Sequence, residues 1–216
     1  MTKKYSVSFH AATAPITEPI TKFGGQPVWI TDPEWPVSKQ TGNPMQFICQ
    51  IALYPELFGD VAGKVAYVFM TDDEDNVDGT WDPDSGENAV IIQPNGTNVT
   101  TTAIATGPTL YRMEEKQDSE LLQPIPCEFS VEVSPGDDPE RGFEDDLDGV
   151  ALEETKIGGT PIFLQEEEYP DGEGWQLLLQ LDSASAPFYV NFGDSGVGYV
   201  FISKDGRSGK FLWQCA

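Results

Sequence analysis

Basic residues are scarce in this chain: twelve Lys and Arg stand against thirty-six Asp and Glu in 216 residues, a formal net charge of −24. A field of that sign repels phosphate backbones and anionic bilayers and attracts basic proteins, peptides and cations. No nucleic acid and no membrane is therefore expected among its partners. Histidine occurs once, at His10, too little for a zinc or iron cluster. Cys49, Cys127 and Cys215 are far apart and show no CxxC spacing, so neither a disulfide framework nor a zinc knuckle is indicated. No apolar run reaches the ~18–20 residues of a membrane span. The opening "MTKKYSVSFHAATAPIT" lacks the continuous apolar core of a signal peptide. A reducing, cytoplasmic location is expected. There is no P-loop and no GxGxxG, and no cofactor is expected.

What is present is a folded, turn-rich chain. Hydrophobic residues make up 39%, with five Trp, seven Tyr and twelve Phe, alongside 21 Gly and 17 Pro. That composition excludes a disordered acidic tail and favours short strands over long helices.

The chain also repeats itself. "KFGGQPVWI" from Lys22 returns as "KIGGTPIFL" from Lys156, an offset of 134 positions. "EWP" at Glu34 is echoed by "EYP" at Glu168, "MQFICQIAL" at Met45 by "WQLLLQLDS" at Trp175 (offset 130), and "VAYVFM" at Val65 by "VGYVFI" at Val197 (offset 132). Blocks kept in order and nearly in register indicate an internal duplication. The predicted architecture is α+β, mostly β: a duplicated module of short antiparallel strands with few helices. One domain, 1–216, would consist of two pseudo-repeats, about 16–112 and 150–216, joined by an acidic segment, 113–149.

Each block has a physical reading. The Gly-Gly pairs supply backbone conformations closed to other residues. Pro27 and Pro161 open extended runs, and "VWI" and "IFL" read as short strands. Gln46 and Gln50, like Gln176 and Gln180, are four apart, which on a regular strand puts both amides on one face. A buried amide must be satisfied, and the simplest partner is the backbone of the neighbouring Gly-Gly turn. The strongest helical stretch is Thr109 to Leu122, with an incomplete apolar stripe.

These motifs, with "GNPMQFICQI", "GDSGVGYVFI" and the closing "FLWQC", resemble the YwqG-like family, a domain of unknown function numbered 1963, over roughly Ile20 to Cys215. A partial likeness, GGxPxW followed by "NPMQFICQI", resembles the programmed cell death protein 2 group. The first resemblance implies a duplicated β-rich domain with no established activity. The second implies protein binding of a chaperone kind toward a basic ribosomal protein, although that group's paired zinc cysteines have no match here.

Three functional readings follow. The first is a non-enzymatic module for a basic partner, chaperone-like or immunity-type. The linker stretch "SPGDDPERGFEDDLDG" interleaves acids with apolar anchors and offers Asp137, Asp138, Phe143, Glu144, Asp145, Asp146 and Leu147 as contacts. The second is a small-ligand binder or enzyme with a cleft at the seam between the copies, lined by Gln50, Gln180, Trp29 and Trp175. The third is calcium at "TDDEDNVDGTWDPD", with Asp72, Asp75, Asp78 and Asp82 as hard oxygen ligands, although Ser85 stands where an EF-hand needs a bidentate Glu. "GDSG" at Gly193 imitates a serine-protease motif, but its continuation fails and His10 would be the sole base available.

Overall fold

The computed structural model describes residues 1–72, 77–95, 99–116, 121–138 and 154–215. Its regular structure is almost entirely strand: β1 (Thr2–Ala11), β2 (Lys22–Gly24), β3 (Trp35–Pro36), β4 (Gln46–Ala52), a single helical turn α1 (Pro55–Phe58), β5 (Val65–Met70), β6 (Asn88–Gln93), β7 (Thr101–Thr102), β8 (Tyr111–Glu115), β9 (Leu122–Pro126), β10 (Glu128–Asp138), β11 (Lys156–Gly158), β12 (Trp175–Asp182), β13 (Val197–Ser203) and β14 (Gly209–Gln214). A mostly β fold with few helices is the observed class. No helix among the described residues is long and apolar enough to cross a membrane.

Ten strands form one sheet in the order β14-β13-β12-β11-β1-β10-β2-β4-β5-β6. Its centre is the long antiparallel pair β1–β10, in register from Thr2–Asp138 to Ala11–Phe129. On either side lies the same run of strands. Each central strand crosses over: β1 precedes the first copy in sequence but pairs with β11 of the second, and β10 precedes β11 but pairs with β2 of the first. The two outermost strands, β6 and β14, pack against each other, so the sheet curls nearly closed.

One face of the sheet lines a shared core, where Phe9, Phe23, Phe129 and Phe188 meet edge-on or stacked at centroid distances of 5.0–6.3 Å. The other face carries two smaller clusters, one per copy: Trp35, Phe47, Tyr67 and Phe69 in the first, Leu177, Tyr199 and Phe201 in the second.

Several expectations are corrected. The described residues of Thr109 to Leu122 are not helical: Tyr111–Glu115 pairs antiparallel with Leu122–Pro126, the sparse apolar positions being insufficient to bury a helix face. "VWI" and "IFL" are not ladder strands, because their backbone N–H groups are taken by side chains. The paired glutamines do not share a face. A bulge between Phe47 and Cys49, repeated between Leu177 and Leu179, adds one residue and inverts the alternation. Gln46 therefore registers with core-facing Met70, while Gln50 registers with Tyr67 of the outer cluster.

Candidate functional site

The two copies share one polar framework, position for position. In the first, Val28 N donates to Gln50 Oε1 (2.8 Å), and Gln50 Nε2 donates to Ile20 O (2.8 Å). In the second, Ile162 N donates to Gln180 Oε1 (2.9 Å), and Gln180 Nε2 donates to Glu154 O (3.1 Å). Ile30 N and Leu164 N donate to the hydroxyls of Tyr67 and Tyr199, which donate onward to Val28 O and Ile162 O. Thr31 N and Gln165 N end on Gln93 and Gln214. Each "GGxPxxx" segment is thus laid over the sheet and held by side-chain amides and phenols in place of a neighbouring strand. Burial pushes the Tyr67 phenol up to about 12, and pushes Tyr199 up as well, so both remain protonated donors.

Beneath each Gly-Gly turn lies a buried lysine. Lys22 and Lys156 are both 0% exposed. Lys22 Nζ pairs with Glu128 and donates to Gln26 O at 2.6 Å; Lys156 Nζ donates to Asp138 Oδ2 at 2.6 Å and Thr160 O at 2.8 Å. Asp138 also takes Lys4 at 2.8 Å and the Thr160 N–H at 2.9 Å. Burial acts to raise the Asp138 pKa, but its hydrogen bonds from Lys156, Lys4 and Thr160 outweigh that and hold it below the ordinary carboxylate value. Burial pulls Lys156 below the usual lysine value, against the opposing pull of Asp138.

The sequence-derived candidates separate in space. Gln50 and Gln180 are buried and lie five strand positions apart, about 24 Å along the sheet at the usual strand spacing. They do not come together at a seam. Trp29 is half-buried against Tyr67 at 4.7 Å and donates to Ala105 O; Trp175 donates to Asp171 O. Asp138 is corrected from a partner contact to the buried anchor of Lys156, whereas Asp137 is exposed. Phe143, Glu144, Asp145, Asp146 and Leu147 lie outside the described residues, as does Asp75. Asp72 accepts from Gln46 at 2.9 Å, Asp78 from Gly79 N and Asp82 from Asp84 N, both at 2.8 Å. Among the described residues, no group of three or more His, Cys, Asp or Glu is placed to hold a metal ion. His10 is exposed beside Glu132, and the Ser195 hydroxyl contacts its neighbour Asp194. No triad forms between them.

Two features went unread in the sequence. A cleft of about 230 Å³ opens between Met70, Asp72, Val77 and Trp81 of the first copy and Asn191, Gly193 and Trp213 of the second. Among the described residues, the Trp213 indole N–H is buried without a hydrogen-bond partner. The second feature is a difference between matched aromatics. Trp35 is 0% exposed, while Tyr169, 134 positions on, is 43% exposed, and exposed Glu166, Glu167, Asp171 and Glu173 lie within four residues of it in the chain. The change of "EWP" to "EYP" was the visible trace, but letters alone do not reveal which copy is covered.

Compared with known families, residues 21–208 match a domain of unknown function, DUF1963. The chain belongs to this family. The match spans both copies of the buried lysine and its Gly-Gly turn, with Ile20 and Gln214 of the framework just outside it. Among curated proteins, none matches the chain.

Proposed function

We propose that this DUF1963 protein is a non-enzymatic binding module for a basic protein partner. The observation that carries the reading is where its few cations go. Lys22 and Lys156 are buried, Lys4 is bound between Asp138 and Glu154, and Lys210 and Arg112 lie against Asp84 and Glu114. These five cations are neutralised by five carboxylates, Glu128, Asp138, Glu154, Asp84 and Glu114. The net charge of −24 is therefore unchanged and is carried by the remaining residues, where acids outnumber bases 31 to 7 against 36 to 12 in the whole chain. Such a surface steers a basic partner and raises its association rate. The partial likeness to the programmed cell death protein 2 group supports the same chaperone-type role, and the motif likeness supports a YwqG-like assignment within the family. Three unpaired thiols, Cys49, Cys127 and Cys215, suit a reducing, cytoplasmic setting. Retention of basic proteins from native extract at low salt, released at high salt, tests the reading. Failure to retain any basic protein at low salt removes it.

A second reading has one observation in its favour. The cleft between the two copies, with Trp81 and Trp213 in its walls and an unpartnered indole N–H, suits a small ligand. A metabolite screen read by melting temperature tests it, since a ligand bound only by the folded state raises that temperature. Calcium has weaker support, because the described carboxylates of loop 72–84 are turned to backbone and side-chain donors. A calorimetric titration with no heat ends that option.

A further inference from the structure

The duplication allows a direct comparison of what the outer face of each copy can hold. In the first copy that face is occupied by a length of the same chain. Thr101–Thr102 pairs in antiparallel register with Trp35–Pro36. Ala105 O accepts the Trp29 indole N–H at 3.1 Å. Gly107 exchanges two bonds with the Gln26 amide, at 2.9 and 3.0 Å, and is packed so closely that an added Cβ would come 2.9 Å from the Trp35 ring. Pro108 O accepts from Phe47 N at 2.9 Å. An extended segment of about ten residues is thus seated across the aromatic cluster, held by backbone bonds and by indoles.

In the second copy the corresponding aromatics are present, and no described residue plays the covering part. Phe163 stands for Trp29, Tyr169 for Trp35 and Leu177 for Phe47. Tyr169 leans on Phe163 and Phe201, each at 5.4 Å, and as a residue is nearly half exposed. The rim differs in charge as well. The covering segment of the first copy, "TTTAIATGPT", is uncharged, whereas the chain on either side of Tyr169 carries the exposed acids Glu166, Glu167, Asp171 and Glu173, with Lys204 beside Gly174.

We propose that the outer face of the second copy is the docking surface for the basic partner: an extended, arginine-containing segment laid across Tyr169 and Phe163, as residues 100–109 are laid across Trp35 and Trp29. Backbone pairing along Tyr169 and Pro170 positions the segment, as strand addition does elsewhere. A guanidinium stacks on the Tyr169 ring and is held by the surrounding carboxylates, a geometry that favours Arg over Lys. The proposal rests on the basic-partner reading and assigns it a place.

The full-length protein is titrated against a fluorescent ten-residue peptide alternating Arg with Thr, and against its Glu-for-Arg analogue, by anisotropy at low and high salt. The expected result is binding of the Arg peptide alone, weakened at high salt. Tyr169→Ala, or the pair Glu166→Gln and Glu167→Gln, reduces affinity about tenfold or more, as loss of an interface anchor does. Glu132→Gln, exposed beside His10 on β10, four strand positions from β13, leaves it unchanged. Tyr169 is surface-exposed, and an unshifted melting temperature confirms that each variant is folded. Binding at the wild-type level by all face variants overturns the assignment of this face while the basic-partner reading stands. Failure of every cationic probe, together with an empty pull-down, overturns both. A concentration-dependent dimer abolished by Tyr169→Ala overturns the proposal in favour of a second copy as the occupant.

Discussion

Lys22 and Lys156, matched positions in the two copies, are both fully buried, and each donates to the backbone carbonyl four residues on: Gln26 O at 2.6 Å and Thr160 O at 2.8 Å. A charged amine taken from water is tolerated because it is surrounded by acceptors, including one carboxylate in each copy. Removing one partner alone takes away a counter-charge that the other relies on in a buried place.

Lys156→Met is therefore expected to cost about 3–5 kcal/mol, the scale for breaking a buried ion pair. Lys4 remains on Asp138, which moves the cost to the lower end. Lys156→Met combined with Asp138→Leu should cost less than the two single changes summed, a coupling that urea denaturation of the four proteins measures.

Acid should weaken the same site. The Asp138 pKa lies below its ordinary value of 3.8, so the folded state binds its proton less readily than the unfolded chain. The stabilisation is fully present above the unfolded value and is lost as pH falls through and below it. Urea midpoints at pH 6, pH 4 and pH 3 should fall in that order, and Asp138→Asn should flatten the fall.

Gln50→Leu and Gln180→Leu each strand a backbone N–H and a carbonyl. The expected cost is about 1–3 kcal/mol apiece. The two sites share no partner, so the double variant should show the sum. A cost well below this range would show that the amides are dispensable to the fold.

Gly24 and Gly42 both have positive φ, +66° and +74°. An added Cβ at Gly42 meets nothing within 4 Å, whereas at Gly24 it would overlap the Cys127 carbonyl oxygen. Gly42→Ala should cost about 1–2 kcal/mol from backbone strain alone. Gly24→Ala should cost clearly more, because β10 must move. Equal melting temperatures for the two variants would contradict this account.

Residues 1–11 belong in space with the second copy, although they precede the first in sequence, since β1 pairs with β11 as well as with β10. Truncating them should strip protection from Lys156–Gly158 in hydrogen exchange, although the two segments lie far apart in sequence. Unchanged exchange there would contradict the crossed arrangement.

Much of the fold was legible in the letters. Apolar runs such as "VAYVFM" and "VGYVFI" are buried strands, and the repeated phrases occupy matched sites. The bulges were not legible: one extra residue inverts the faces of Gln46 and Gln50 without any special amino acid to mark it. Lys22 and Lys156 also passed unread, although a lysine kept twice in so acidic a chain was an available signal. The hairpin of β8 and β9 was missed because exposed strands with few apolar residues carry neither period clearly.

By itself the sequence determined the duplicated β-rich build and the negative field, because strand propensity, turn glycines and net charge are local or additive properties. Which strands cross between the copies, which lysines vanish from the surface and which aromatic face stays open were decided only in three dimensions. Those outcomes depend on pairings between residues distant along the chain, where sequence spacing carries no record of contact.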